Sequence, residues 1–448
     1  MTYTPVDVIE VHAWGELVGA VALDPMTGFY AFEYSPAWIT TGRQLAPLMM
    51  PLGTGVSEFP ALDPDSFHRL PGLLADSLPD AFGNLLVEHW MRTQGIAQHQ
   101  ITSLDRLAYA ADRALGALTF VPPADIAGPP PTAIALNDLV TAARATVNGT
   151  LDEAVAQDAL LQLINVGSSA GGARAKAVIS YDPDTHEMRS GHLPAPASFS
   201  HWLIKLDGTG STSLDGRIDA LGEGAPYGRI EHAYHLMATA AGVTMSECRL
   251  LEENGRAHFL TRRFDRGEDG DRVHTSTLNG LAHADFRQAG QHSYDQYLDT
   301  IRLLGMGPDA VAEGYRRMVF NVAAVNRDDH TKNVGFLLPQ DGTWQLAPAY
   351  DVTHAFNPEG QWTQRHQMAI NGKTQGITAA DLYAVAERHD VPGYKDITRR
   401  VLDATAQWSD FARQSGIDLK TTGRIAADLA AMCPTGVRRA PRRPTTHM

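Results

Sequence analysis

The sequence predicts an α+β protein with a small β-rich lobe, a larger helical lobe, and an extra α/β subdomain in front of them. Three observations predict it. Short extended runs separated by turn residues dominate residues 6–34 and recur between residues 177 and 264. Helical periodicity dominates residues 308–432. Between a long amphipathic helix and an apolar hairpin stands one loop dense in chemically active side chains, Asn326-Arg327-Asp328-Asp329-His330-Thr331-Lys332-Asn333. The expected organisation is an N-terminal subdomain over residues 1–125, a small lobe with a glycine-rich loop over 126–266, a helical lobe carrying the active loop over 267–436, and a basic tail over 437–448.

Residues 6–34 read as a β-meander. Val6, Val8 and Val11 share the first extended run, residues 17–23 form the second, and residues 29–34 alternate after the turn Pro25-Met26-Thr27-Gly28. The segment Pro71-Gly72-Leu73-Leu74-Ala75-Asp76-Ser77-Leu78-Pro79-Asp80-Ala81-Phe82-Gly83 leads into a helix over about 84–94. Residues 122–131, rich in proline, continue neither regular element and serve as the linker. A helical stretch follows to about residue 164, then Val166-Gly167-Ser168-Ser169-Ala170-Gly171-Gly172-Ala173-Arg174-Ala175-Lys176, and then an apolar strand over 177–180.

A second strand over 201–206 precedes a glycine-rich segment, 208–228, expected to be mobile. The helix over 229–241 keeps Ile230, Ala233, Met237 and Ala241 at helical spacing, with Gly242 suited to its C′ position. Asn254-Gly255 joins two strands, the second over 257–264. In the last part, Pro308 opens a helix that puts Val311, Tyr315, Met318, Val322 and Val325 on one face. A hairpin over 334–338 and 343–347 turns at Asp341-Gly342, and helices are expected over 379–388, 397–415 and 421–432.

Composition bounds the function classes. At 448 residues, 44% apolar and 20% charged, the chain has the balance of a globular protein of two or three domains. No apolar run spans a bilayer and the first residues carry no signal core, so the expected compartment is the cytoplasm and no membrane partner is expected. Two cysteines, Cys248 and Cys433, exclude a disulfide framework or a cysteine-rich zinc site. A net charge of −14 repels nucleic acid at long range. The exception is the tail, with Arg438, Arg439, Arg442 and Arg443, which reads either as a solvated end or as a phosphate-contacting arm beside a partner.

The chemistry follows from spacing. Asp328, an Asn five positions later, a hairpin and then Asp351 in Ala347-Pro348-Ala349-Tyr350-Asp351 reproduce the order of a kinase catalytic loop and its metal-binding Asp. Phosphoryl transfer needs one carboxylate to orient the attacking hydroxyl, here Asp328. It also needs an amide and a second carboxylate to hold Mg²⁺ on the phosphates of ATP, here Asn333 and Asp351. A bare Asp-x₄-Asn arises by chance and Asp and Asn also close turns; the hairpin and its terminal Asp make the context specific. Asp329 and His330 are the alternative metal pair, without a further His or Cys at zinc spacing. Lys332 reads equally as a phosphate contact or a solvated lysine.

Lys205, a charge inside the apolar run Trp202-Leu203-Ile204-Lys205-Leu206, must reach either water or an anion. In a kinase small lobe it pairs with the nucleotide phosphates and a helix Glu, for which Glu231 is the candidate; the plain alternative for Glu231 is first-turn placement against the helix dipole. The glycine-rich loop is neither a Walker A motif nor a G-x-G-x-x-G. Its backbone with Arg174 and Lys176 nonetheless suits phosphates, and Ser168 or Ser169 phosphorylated within it would repel a nucleoside triphosphate.

Together these segments resemble the HipA family of serine/threonine kinases, the toxin halves of bacterial toxin–antitoxin pairs. The resemblance rests on Asp76-Ser77-Leu78-Pro79-Asp80, Gly171-Gly172-Ala173-Arg174-Ala175-Lys176, the Lys205 strand, Arg263-Phe264-Asp265-Arg266, the Asp328 loop and Pro348-Ala349-Tyr350-Asp351. It implies a protein-kinase-like bilobal fold with an extra N-terminal subdomain, use of ATP and Mg²⁺, and phosphorylation of a serine in glutamyl-tRNA synthetase or another translation component. It implies a dimeric helix-turn-helix antitoxin, HipB, as partner, through which operator DNA is reached. The family's nucleotide contacts fall on Gly171, Gly172, Ala173, Arg174 and Lys176, on Lys205, on the hinge from Arg262 to Phe264, on His330, Lys332 and Asn333, and on Tyr350 and Asp351. Its self-phosphorylated serine falls on Ser169, and Arg262 stands where relatives often carry an acidic hinge residue. Rival readings are a small-molecule or lipid kinase, and a non-catalytic co-repressor module.

Overall fold

A computed structural model of the chain describes residues 3–124, 136–148, 174–192, 196–207, 225–267, 270–340 and 342–436. Outside these lie most of the linker, the helical stretch beyond residue 148, Ser168, Ser169, Gly171, Gly172 and Ala173, the segment 208–224, and the tail.

Four antiparallel strands build the N-terminal subdomain: β1 (Val8–Ala13), β2 (Glu16–Leu23), β3 (Tyr30–Tyr34) and β4 (Leu118–Val121), in the order β3-β2-β1-β4. Alternation sets the face of β1, with Ile9, Val11 and Ala13 buried and Val8 and Glu10 exposed. The β1–β2 hairpin turns through Trp14-Gly15, both at positive φ, the backbone that a two-residue primed turn demands. β4 is a strand the sequence did not announce, because four residues carry too little alternation to register. The helix Ala81–Thr93 begins earlier than expected because Asp80 caps it, its Oδ1 accepting from the Gly83 N–H at 2.7 Å.

The second sheet contains β5 (Lys176–Tyr181), β6 (Met188–Ser190), β7 (Ser200–Lys205), β8 (Cys248–Glu253) and β9 (Arg256–Arg262), in the order β6-β5-β7-β9-β8. Asn254 and Gly255 turn the β8–β9 hairpin at φ of 49° and 77°. The helix Tyr227–Ala241 ends at Gly242, whose φ of 89° favours glycine.

In the helical lobe, the expected hairpin gains a strand: β10 (His274–Thr277), β11 (Gly335–Leu338) and β12 (Gln345–Leu346) form one sheet in that order. The helix expected over 397–415 is two helices, Tyr394–Thr405 and Trp408–Gln414. The break lets Trp408 turn inward against Tyr234, ring centroids 5.4 Å apart, a tertiary demand that helix propensity does not reveal. No described helix is long and apolar enough to cross a membrane.

The apolar residues form two bodies. Ala177, Ile179, Trp202, Ile204 and Leu260 of the second sheet lie in a core continuous with the N-terminal subdomain. Ile230, Ala233, Tyr234 and Met237 of the helix Tyr227–Ala241 lie in the core of the helical lobe. The sheet and helix of a kinase small lobe are both present, and each is buried against a different neighbour.

Candidate active site

The site is assembled where those two bodies meet. Lys205 ends β7 and stands directly opposite Lys176, the first residue of β5. Opposed residues of an antiparallel pair share a face, so two ammonium groups project to the same side and require anions. Lys205 Nζ reaches Glu231 Oε1 at 2.5 Å and also Asp351 Oδ1. Lys176 Nζ reaches Asp80 Oδ2 at 2.9 Å, with both side chains almost wholly buried.

Burial alone would lower the Lys205 pKa, but the Asp351 and Glu231 carboxylates outweigh it and raise it above the ordinary lysine value. Burial pushes Asp351 up; Lys205 and then Lys176 more than offset that and hold its carboxyl below the ordinary range. For Glu231 burial prevails over the attraction of Lys205, and its pKa is raised. Glu231 is the fifth residue of its helix and lies past the first turn, so the ion pair, not the helix dipole, accounts for its position.

The loop carrying Asp328 follows the helix Pro308–Ala323. Val325, at φ 54°, turns the chain out of the helix, and the Asn326 N–H bonds back to the Asn321 carbonyl at 3.0 Å. Asn333 Nδ2 donates to the Asp328 carbonyl at 2.8 Å and so closes the loop on itself. Its carboxamide oxygen is then the end that a cation would meet. A carboxamide and a carboxylate, Asn333 and Asp351, are hard oxygen donors that fit Mg²⁺. Asp351 itself sits at φ 52°, a left-handed conformation sparsely used by non-glycine residues and concentrated at functional positions.

Asp329 does not join this group. Its carboxylate accepts from Tyr294 Oη at 2.8 Å, from His366 Nδ1 at 2.9 Å and from the Gln367 N–H at 2.7 Å, deep in the helical lobe. The alternative in which Asp329 binds metal beside His330 is thereby corrected: Asp329 anchors the loop from beneath. His330 is buried on the other side of the loop, Nε2 3.8 Å from Asp328 Oδ1, with its ring edge-on to Phe286.

The hinge residues divide by role. Arg262 is exposed at the end of β9, 4.0 Å from Glu247. Phe264 lies against the ring of Tyr350, centroids 5.7 Å apart, and Tyr350 Oη donates to the Lys332 carbonyl at 2.7 Å. Arg263, Asp265 and Arg266 are structural: Asp265 accepts from both arginines and from the Gly116 N–H, tying the hinge to the N-terminal subdomain. Arg174 lies over the Tyr227 ring, 3.5 Å from its centroid.

Lys332 is partly buried. Its ammonium lies 4.4 Å from the Phe286 ring centroid. Burial lowers its pKa, against the opposing pull of Asp76. Asp76 in turn accepts from the Thr277 N–H at 2.7 Å and from Thr277 Oγ1 and Ser276 Oγ. Asp76 and Asp80 are thus the residues that sequence reasoning quoted but did not assign. Their separation of four residues, straddling Ser77-Leu78-Pro79, was the available signal.

A family model of the HipA-like C-terminal domain matches residues 168–435, and one of the HipA N-terminal domain matches residues 9–121. The chain belongs to the HipA family. A HipA chain from Shewanella oneidensis MR-1, solved as a toxin–antitoxin system with HipB and its operator DNA, superposes with a TM-score of 0.65 at 16% identity, covering 95% of this chain and 96% of that one. The protein called “Putative kinase Y4dM” of Sinorhizobium fredii is 28% identical over 176 residues, a stretch covering 36% of this chain and 39% of the relative. The kinase CtkA of Helicobacter pylori aligns over 52% of this chain with a TM-score of 0.30 and 10% identity. This HipA-family chain has the fold of the Shewanella oneidensis HipA chain, its N-terminal subdomain included.

Proposed function

We propose that the chain is an ATP-dependent serine/threonine-protein kinase and the toxin half of a toxin–antitoxin module, which phosphorylates a translation component such as glutamyl-tRNA synthetase. The observation that carries the reading is the Lys205 ammonium at the end of β7, held between Glu231 of the helix Tyr227–Ala241 and Asp351 beyond the hairpin. Lys205 binds and orients the nucleotide phosphates, and Glu231 fixes its direction. Asp328 orients the substrate hydroxyl and takes its proton. Asn333 and Asp351 would hold Mg²⁺, which would supply charge neutralisation at the phosphates. Gly171, Gly172, Ala173, Arg174 and Lys176 border the phosphates; Arg262, Phe264 and Tyr350 border the base; His330 and Lys332 flank the transferred group.

Self-phosphorylation at Ser169 would then place a dianion inside the phosphate cradle and switch the enzyme off. A small helix-turn-helix antitoxin of the HipB type is the proposed partner, and operator DNA is reached mainly through it. Belonging to the HipA family and the likeness to a chain solved with HipB and DNA support this part.

The test is transfer of radiolabel from ATP to protein, in a lysate and onto the chain itself, with Asp328→Ala as control. The expected loss is about a hundredfold to ten-thousandfold, with an unchanged melting temperature. Full transfer by Asp328→Ala, or label passing only to small metabolites, would refute the reading.

A further inference from the structure

The charges at the lobe junction do not cancel. Two ammonium groups, Lys176 and Lys205, meet three carboxylates, Asp80, Glu231 and Asp351. Lys205 is shared by two of them, and Lys176 is committed to the third. The opposed Cα positions of the two lysines place both on one sheet face, with Cβ atoms about 5 Å apart by strand geometry. Asp351 is the carboxylate that both cations influence. If both turned to it, a divalent cation would have to displace two ammonium groups rather than one.

Asp80 comes from outside either lobe. Its carboxylate is divided, with Oδ1 capping the helix Ala81–Thr93 through the Gly83 N–H and Oδ2 on Lys176. Helix capping fixes the side chain independently of the ion pair, so the carboxylate is held in place by its own helix. Four residues earlier, Asp76 is fixed by Thr277 and Ser276 at the start of the helix Leu278–Ala282. Gly280 leaves the space this needs, since a Cβ there would stand 2.1 Å from Asp76 Oδ2. The loop is therefore pinned to the helical lobe at one end and to the sheet at the other.

We propose that Asp80 is a positioning residue for the cleft: it holds the Lys176 ammonium away from Asp351 and leaves that carboxylate open to the divalent cation that accompanies the nucleotide. This rests on the kinase reading. It gives the N-terminal subdomain a direct part in setting the cation requirement, through a side chain that touches neither nucleotide nor substrate.

The experiment measures calorimetric binding of a non-hydrolysable ATP analogue to the full chain across a range of Mg²⁺ concentrations. Asp80→Asn keeps the size and the helix cap, because Asn and Asp cap equally well. Its Mg²⁺ midpoint is expected to rise about tenfold, the change expected when a roughly 1.4 kcal/mol competitor occupies Asp351. The melting temperature should stay within a few degrees of the parent. Adding Lys176→Met to Asp80→Asn should return the midpoint to that of Lys176→Met alone. An unchanged midpoint in Asp80→Asn, or a double variant as impaired as Asp80→Asn, overturns the proposal.

Should Asp80→Asn fail to fold, Lys176→Met carries the test. A midpoint at or below the parent's supports the proposal, whatever happens to affinity at saturating Mg²⁺. A midpoint tenfold above it overturns the proposal, because the ammonium itself would then be what retains the cation and phosphates. A parent chain that binds no analogue at any Mg²⁺ concentration refutes the kinase reading, an outcome distinct from the other two.

Discussion

The sheet and the helix that face each other across the candidate site are stabilised in different ways. The sheet β6-β5-β7-β9-β8 shares its apolar residues with the N-terminal subdomain, and the helix Tyr227–Ala241 shares its own with the helical lobe. Among the described residues, much of the small lobe's apolar surface is therefore shared with a neighbouring body. Lys205 and Glu231 belong to different bodies, and their ion pair crosses the seam between them. Lys176 and Asp80, by contrast, pair on one side of it. A conformational change that parts the two bodies must break the first pair and can spare the second.

The largest effect expected from this arrangement is that of Lys205→Met. It removes a cation that spans the seam and leaves the buried Glu231 and the part-buried Asp351 without that partner. Radiolabel transfer should fall at least a hundredfold, and analogue affinity should fall with it. A variant retaining transfer would mean that the crossing pair is not where the two bodies communicate.

Gly280→Ala tests the other crossing point, where Asp76 binds the start of the helix Leu278–Ala282. The added Cβ meets a carboxylate held by three hydrogen-bond donors and, within 3.0 Å, the Gly72 carbonyl. Overpacking of this kind costs about 1–3 kcal/mol, to be read as a lower urea midpoint. Wild-type stability would show that the loop yields freely and that Asp76 is not a rigid anchor.

Smaller still is Tyr234→Phe, which deletes the hydrogen bond from Tyr234 Oη to the Ala324 carbonyl, 2.7 Å long and buried in the helical lobe. About 1–2 kcal/mol is expected, with transfer scarcely changed, since the helix remains held by apolar packing. A loss of transfer larger than the loss of stability would show that this bond positions Glu231 as well as securing its helix.

How much of this was legible in the sequence depends on how far apart the partners are. Asp328, Asn333 and Asp351 lie within one loop and hairpin, so their spacing carries the geometry. Lys205 and Glu231 were legible because a lone charge in an apolar strand needs an anion, and the next helix supplies one. Asp80 and Lys176 are separated by 96 residues, including the linker. Neither position has local periodicity that points to the other, and the pairing exists only because the Asp80 cap is packed against β5. β4 escaped for the same reason: its partner β1 lies about a hundred residues earlier, and its four residues gain strand character from pairing alone. The single helix expected over 397–415 erred in the opposite sense, since its periodicity was real but the helical lobe required Trp408 on another side.

The mildest perturbation is pH. His283 Nε2 accepts a hydrogen bond from the Gly72 N–H at 3.1 Å, another contact between the N-terminal subdomain and the helical lobe. An accepting nitrogen requires the neutral ring, and burial lowers the His283 pKa from 6.5 to about 4. His274, which meets the Leu45 carbonyl, is lowered to about 4 by the same cause. In each case the unfolded chain binds the proton more readily than the folded one between those limits. The stabilisation is thus fully present above pH 6.5 and is lost as pH falls towards 4. The urea midpoint should decline across that window, and His283→Gln, which retains an acceptor and cannot titrate, should make the decline shallower. An identical slope in His283→Gln would mean that the seam is insensitive to this proton and that other groups govern its acid stability.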